Sequence, residues 1–343
     1  MRFNDLAVES RLRMAPSLGV LLLASMLASC GGGGDGGDGG GSTSRSTPAT
    51  ADVTATDGTV NPADIITRAS ADVPFSQQKG YTAQVINTHW PANEIPESGI
   101  HGSTLPNGET LRLGKTIDPT NPALKALAFQ VRNSDPTTSG GKRAELRAEP
   151  NIEMNKVYWI VFSAYIDDWG TLGDTDSALF GTQLHSGDDT LGLSPSFSLY
   201  TTQNGRTFQV QARYSESGSP SQGNQVTRRY AEYPIPFQRW IDFVARFKLN
   251  TNGNGFLQLW MDGEMIADYQ GSLGFNTGKT DYAKFGYYNW SGSAMGSSPR
   301  KVLLRAPTIV ADPSGTTYNV EQLKTLLGAA HLEDADIGVN RVN

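Results

Sequence analysis

The run Tyr158-Trp159-Ile160-Val161-Phe162-Ser163-Ala164-Tyr165-Ile166 holds no charged residue, no glycine and no proline, and is mostly β-branched or aromatic. Such a composition favours a strand. At a period of two, Tyr158, Ile160, Phe162, Ala164 and Ile166 share one face, and Trp159, Val161, Ser163 and Tyr165 share the other. Both faces are largely apolar, so the reading is an inner strand covered on both sides, as in a sandwich. Working outward, Thr207 to Arg213 sets Phe208, Val210 and Ala212 against Thr207, Gln209, Gln211 and Arg213. Trp240 to Leu249 repeats the alternation through Ile241, Phe243, Ala245, Phe247 and Leu249. Phe256 to Met261 runs through Asp262-Gly263 into Glu264 to Ala267, and an Asp-Gly pair between apolar runs signals a hairpin. No repeat of fixed period is evident, and helical periodicity is confined to Val320 to His331. These patterns predict an all-β, antiparallel jelly-roll sandwich with a concave groove and one terminal helix.

Of the 343 residues, the first 71 read differently. Arg2, Arg11 and Arg13 precede an apolar stretch from Leu18 to Leu27 that is too short to span a bilayer, which is the pattern of a signal peptide over 1–29. Its end, Leu27-Ala28-Ser29-Cys30, resembles the bacterial lipobox, which implies acylation of Cys30 as the mature N-terminus. The absence of Asp after that Cys points by the same resemblance to the outer membrane. Cys30 is the chain's one cysteine, so no disulfide can staple the fold. Residues 30–71, first nearly pure glycine and then rich in Ser, Thr, Ala and Asp, read as a flexible tether. The expected folded domain is 72–343, a monomer held to the membrane by its anchor alone. Lys and Arg number 28 against 34 Asp and Glu, a net charge of -6. That excludes a global field for nucleic acid, and any anionic substrate must be met by a local basic groove.

Three segments alternate functional side chains within strand-like sequence. In Arg143-Ala144-Glu145-Leu146-Arg147, the two guanidiniums and the carboxylate share a face, a fork suited to a carboxylate ligand. Gln183-Leu184-His185 sets an amide beside an imidazole able to act near neutral pH. In Tyr282-Ala283-Lys284-Phe285-Gly286-Tyr287-Tyr288, the expected shared face is Tyr282, Lys284, Gly286 and Tyr288. Gly286 is expected to let a sugar ring approach the backbone, and the neighbouring cation to favour a phenolate. Together they supply the needs of β-elimination from a uronate: neutralising the C6 carboxylate, removing the C5 proton and protonating the departing O4.

In order and composition these segments resemble the three signatures of the family-seven alginate lyases, with the related glucuronan and heparin lyases on the same jelly roll. The resemblance implies an acidic polysaccharide substrate, no required cofactor, and neutralisation of its carboxylate by Arg143 and Gln183 with Arg147. It implies His185 as base or neutralising group, and Tyr288 as proton donor to O4 or as acid and base both. Glu145, Arg147, Tyr282, Lys284 and Trp290 would bind substrate. Trp290 departs from the family, which commonly carries Gln there, and Leu184 replaces the usual Ile or Val.

A retaining glycosidase needs two close carboxylates, and Glu145 has no acidic neighbour at strand spacing. A noncatalytic lectin on the same sandwich is the rival reading, set against the pairing of titratable His185 and Tyr288 with Arg143. Asp174, Asp176, Asp188 and Asp189 lie in turn-like sequence and could form an oxygen-rich calcium site, although their spacing matches no EF-hand loop.

Overall fold

A computed structural model of the chain describes residues 59–72, 78–85, 110–137, 140–215, 219–230, 232–290 and 294–329. The expected signal peptide, Cys30 and most of the tether fall outside them. Two antiparallel sheets face each other. The back sheet runs β14 (Glu264–Leu273), β13 (Asn250–Met261), β12 (Trp240–Lys248), β6 (Val157–Ile166), β16 (Arg300–Asp312), β4 (Lys125–Val131) and β3 (Leu113–Ile117), with β1 (Ile65–Arg68) also on β16. The front sheet runs β10 (Gln225–Arg229), β9 (Thr207–Ser215), β8 (Phe197–Thr202), β7 (Ala178–His185), β15 (Tyr282–Trp290), β5 (Gly141–Ala148) and β2 (Tyr81–Val85), with β11 (Tyr233–Pro234) also on β9.

The run that opened the sequence reading is β6, buried along its whole length. Tyr158, Ile160, Phe162, Ala164 and Ile166 enter the core between the sheets, while Trp159 and Val161 pack under Leu323, Leu326 and Leu327 of the helix α1 (Val320–Ala329). The terminal helix is thus what lets β6 be apolar on its second face. The Asp262-Gly263 hairpin joins β13 to β14, with φ of 50° and 88° at the two turn residues, values that a primed turn requires.

One boundary needs correction. Residues 59–71 belong to the folded body: β1 pairs with β16, and Ala69 and Ala71 are buried in the core. The sparse hydrophobicity of this segment hid an edge strand that contributes few but fully buried side chains.

Strand β15 sits between β5 and β7, opposing Tyr288 to Arg143, Lys284 to Arg147 and Gln183, and Tyr282 to His185. Ala283, Phe285 and Tyr287 face the core. Gly286, opposite Glu145 and Gly181, has φ of 139°, and a Cβ there would lie 2.3 Å from the Ala144 carbonyl and 2.8 Å from the Phe129 ring. The glycine therefore serves core packing, which corrects the expectation that its missing side chain admits a sugar. Gly286→Ala should lower stability by about 2 kcal/mol or more, from backbone strain and core collision together; the denaturation midpoint relative to the wild type measures it.

Candidate active site

Alternation along β5, β7, β8, β9 and β15 delivers one polar face. Ala144, Leu146, Phe180, Leu184, Leu199, Val210 and Phe285 point inward to the core, so their sequence neighbours point outward to one cavity of about 670 Å³. Arg143, Arg147, Gln183, His185, Tyr282, Lys284, Tyr288 and Trp290 all line it. Of the nine residues expected at the site, only Glu145 is absent from that wall.

Glu145 is 2 % exposed and lies beneath the cavity. Its Oε2 receives Arg143 Nη1 at 3.4 Å, and its Oε1 receives the Gln183 amide N–H. A carboxylate only accepts, so this contact fixes which end of the Gln183 amide faces it. Glu145 thereby orients Arg143 and Gln183, in place of the substrate contact expected of it. The buried pair also lowers the desolvation cost of holding Arg143 in the wall.

The aromatic rings are stacked with cations. The Arg143 guanidinium lies 4.1 Å from the Tyr288 ring centre, and that of Arg147 lies 3.9 Å from Tyr282. Tyr282 is fully buried, stacked on His185 with centroids 5.4 Å apart, and donates to Asp189 Oδ1 at 2.6 Å. It supports the imidazole and offers little surface to a ligand. Trp290 stacks on Tyr200 at 5.1 Å, forming an aromatic rim.

Burial decides the protonation states. His185 is pushed down to about 4, first by desolvation and then by the nearby Lys284 charge, so the ring is neutral at physiological pH. Its Nδ1 lies 3.1 Å from the Ser186 carbonyl, an acceptor, which places the ring proton on Nδ1 and leaves Nε2 with a free lone pair. Tyr288 is pushed above the ordinary tyrosine value by burial, although Arg143 opposes this. The cation therefore does not make a phenolate, contrary to expectation, and the phenol keeps its proton. Lys284 is shifted down by burial, while Glu145 works to hold it charged.

The four aspartates considered for calcium do not gather. Asp176 is buried against Arg300, and Asp188 accepts from Thr190 and pairs with Lys279. Asp189 meets Tyr282, Arg147 and His185. Among the described residues no group of three or more metal-ligating side chains forms.

Sequence reading considered Asp189 only for calcium and missed Tyr200 and Arg213, and all three line the same cavity. The alternation of Thr207 to Arg213 placed Arg213 on the polar face, and only the sheet order that sets β9 beside β8, and β8 beside β7, was lacking.

A sandwich whose concave sheet carries clustered guanidiniums, a neutral imidazole and a protonated phenol defines a protein that handles an anionic ligand and can move protons on it. The comparisons with known proteins specify the class. A family profile described as polysaccharide lyase matches residues 103–304, well over half of the chain, and the protein belongs to the polysaccharide lyase family. Solved structures similar to it include an endo-β-1,4-glucuronan lyase from the fungus Trichoderma reesei (14% identity, 68% of this chain and 94% of that one, TM-score 0.49). Others are a family 7 alginate lyase in complex with substrate (15%, 68% and 93%, 0.46) and an alginate lyase from Pseudomonas aeruginosa (18%, 53% and 82%, 0.36). No curated protein sequence matches the chain.

Removing the carboxylate beneath the cavity takes from Arg143 its buried ion-pair partner. Glu145→Ala should cost about 3 kcal/mol in folding stability, the scale for breaking a buried ion pair, and thermal or chemical unfolding of the variant checks it.

Proposed function

We propose that this lyase cleaves a uronate-containing polysaccharide, with alginate as the first candidate, by β-elimination. The observation that carries this reading is the pairing, in one cavity, of a carboxylate receptor with two proton-transfer groups in complementary states. Arg143 and Gln183, with Arg147 and Lys284, take the C6 carboxylate and stabilise the negative charge that grows on it as the C5 proton leaves. Neutral His185 accepts the C5 proton through Nε2. The electron pair of the C5–H bond forms the C4=C5 double bond as the C4–O4 bond breaks, and the Tyr288 phenol gives its proton to O4. The products are an unsaturated uronate end and a new reducing end, with no water consumed. A bound carboxylate also offsets the charge of Lys284 and so raises the basicity of His185 when substrate is in place.

The sequence from Leu27 to Cys30 supports export and a lipid anchor at the outer membrane, and a monomer on the Gly-rich tether suits a substrate too large to enter the cell. The decisive assay is ultraviolet absorbance of the conjugated unsaturated uronate, with the purified protein acting on alginate, glucuronan and heparin-like polymers. A rise on any of them supports elimination and names the polymer; binding to one without a rise overturns the reading in favour of a lectin.

Two further outcomes are expected. Tyr288→Phe removes only the phenolic hydroxyl and should lower turnover by a factor on the order of 10²–10⁴, with polymer affinity retained by calorimetry. In the free enzyme the base stays deprotonated far below the ordinary histidine value of about 6.5, so the acid limb of kcat/KM should fall near pH 4. Its alkaline limb should lie above the ordinary tyrosine value of about 10, because Tyr288 must remain protonated. An acid limb near the unshifted histidine value would remove His185 as the base.

A further inference from the structure

Strand β9 carries a cation that the chemistry above does not use. The transverse row that holds Tyr282 and His185 continues through Ser196, whose N–H donates to the Leu184 carbonyl, to Arg213, whose N–H donates to the Ser196 carbonyl. Arg213 thus stands on the same row as the proposed base, two strands along, about 10 Å across the sheet. Its side chain lines the cavity. The guanidinium is held in place by neutral groups: the Pro195 carbonyl at 2.9 Å, Thr227 Oγ1 at 3.2 Å, Ser198 Oγ at 3.4 Å and the Gln211 amide oxygen. Among the described residues no carboxylate lies within ion-pair distance of it. The nearby charge is another cation, Arg229, which faces the same side through its pairing with Gln211. Burial and Arg229 together push Arg213 down to about 10, so it is desolvated yet still charged.

A guanidinium fixed in a cavity wall with no carboxylate beside it among the described residues is costly for the free protein and well suited to an anion brought by a ligand. We infer that Arg213 is the receptor for a second carboxylate of the same polymer, a sugar or two along from the reacting uronate, so the enzyme selects runs of adjacent uronates. This rests on the lyase reading above, and it goes further in naming the charge pattern of the substrate. The row geometry supports it, because a polysaccharide crossing the strands from His185 toward Arg213 presents its next carboxylate where β9 can meet it.

The test uses two substrates, a fully charged polyuronate and the same polymer with part of its carboxyls reduced to alcohols, so that many reacting uronates have neutral neighbours. Wild-type release of unsaturated product from the charged polymer tests the lyase reading by itself. Arg213→Gln keeps much of the side chain's length and hydrogen bonding. It should raise KM on the charged polymer about tenfold or more, as expected for one lost charge-assisted pair. Its kcat should stay within about threefold, and on the reduced polymer it should behave nearly as wild type. Arg213→Lys should recover part of the loss, and calorimetric titration of the intact protein with both polymers reads the affinity independently of turnover. Equal loss on both polymers, or an unchanged KM and affinity on the charged one, would overturn the inference and leave Arg213 as a brace between β8, β9 and β10.

Discussion

The register of β15 between β5 and β7 is the constraint on which the site depends. Three consecutive inward residues, Ala283, Phe285 and Tyr287, are fully buried, and each fixes the direction of the functional side chains beside it. A slip of one residue would turn Lys284 and Tyr288 into the apolar core and the Phe285 and Tyr287 rings out toward the cavity, so the apolar face enforces the register strongly. Gly286 tightens it further, since only a residue without Cβ fits against the Ala144 carbonyl at that φ. The cavity's chemistry is therefore fixed by apolar contacts on the opposite side of the sheet.

Within that frame, electrostatics is local. The chain's net charge is -6, yet Arg143, Arg147, Arg213 and Lys284 line the cavity against one carboxylate, Asp189. Glu145 offsets part of this from below without competing for the ligand. The same burial that makes the cations expensive keeps His185 neutral and Tyr288 protonated, so one physical cause sets both proton-transfer groups to complementary duties. Asp189 completes the balance: it pairs with Arg147 and accepts from Tyr282, which steadies the ring on which His185 is stacked.

Most of this was legible in the sequence because strands have a period of two. Parity alone separated Arg143, Glu145 and Arg147 from Ala144 and Leu146, and put Gln183 with His185. What parity cannot supply is depth. Glu145 and Arg147 share a face and differ in that one lies under the cavity and the other in its wall, a distinction made by neighbouring strands that are distant in sequence. Depth also reversed the expected effect of the cation on the Tyr288 phenol. Sheet order was the second missing quantity: Arg213 and Tyr200 become site residues because β8 and β9 follow β7 across the sheet, and no local pattern announces that adjacency. The early boundary failed for a related reason, since β1 is short and its worth lies in pairing with β16, more than two hundred residues away.

This division between parity and sheet order has a functional counterpart. In the proposed reaction, carboxylate capture and proton transfer come from three strands whose order is β7, β15 and β5, and their motifs are continuous in sequence. In the proposed reaction, recognition beyond the reacting sugar falls to Trp290, at the end of β15 and stacked on Tyr200, and to Arg213 on β9. Trp290 adds a flat apolar face suited to a sugar ring, and its ring centre lies 6.5 Å from that of Tyr288, so it borders the proposed proton donor. Substitutions at Tyr200 or Arg213 would change which polymer is held while leaving β7, β15 and β5 in place, because the inward residues of those strands are fixed by the core.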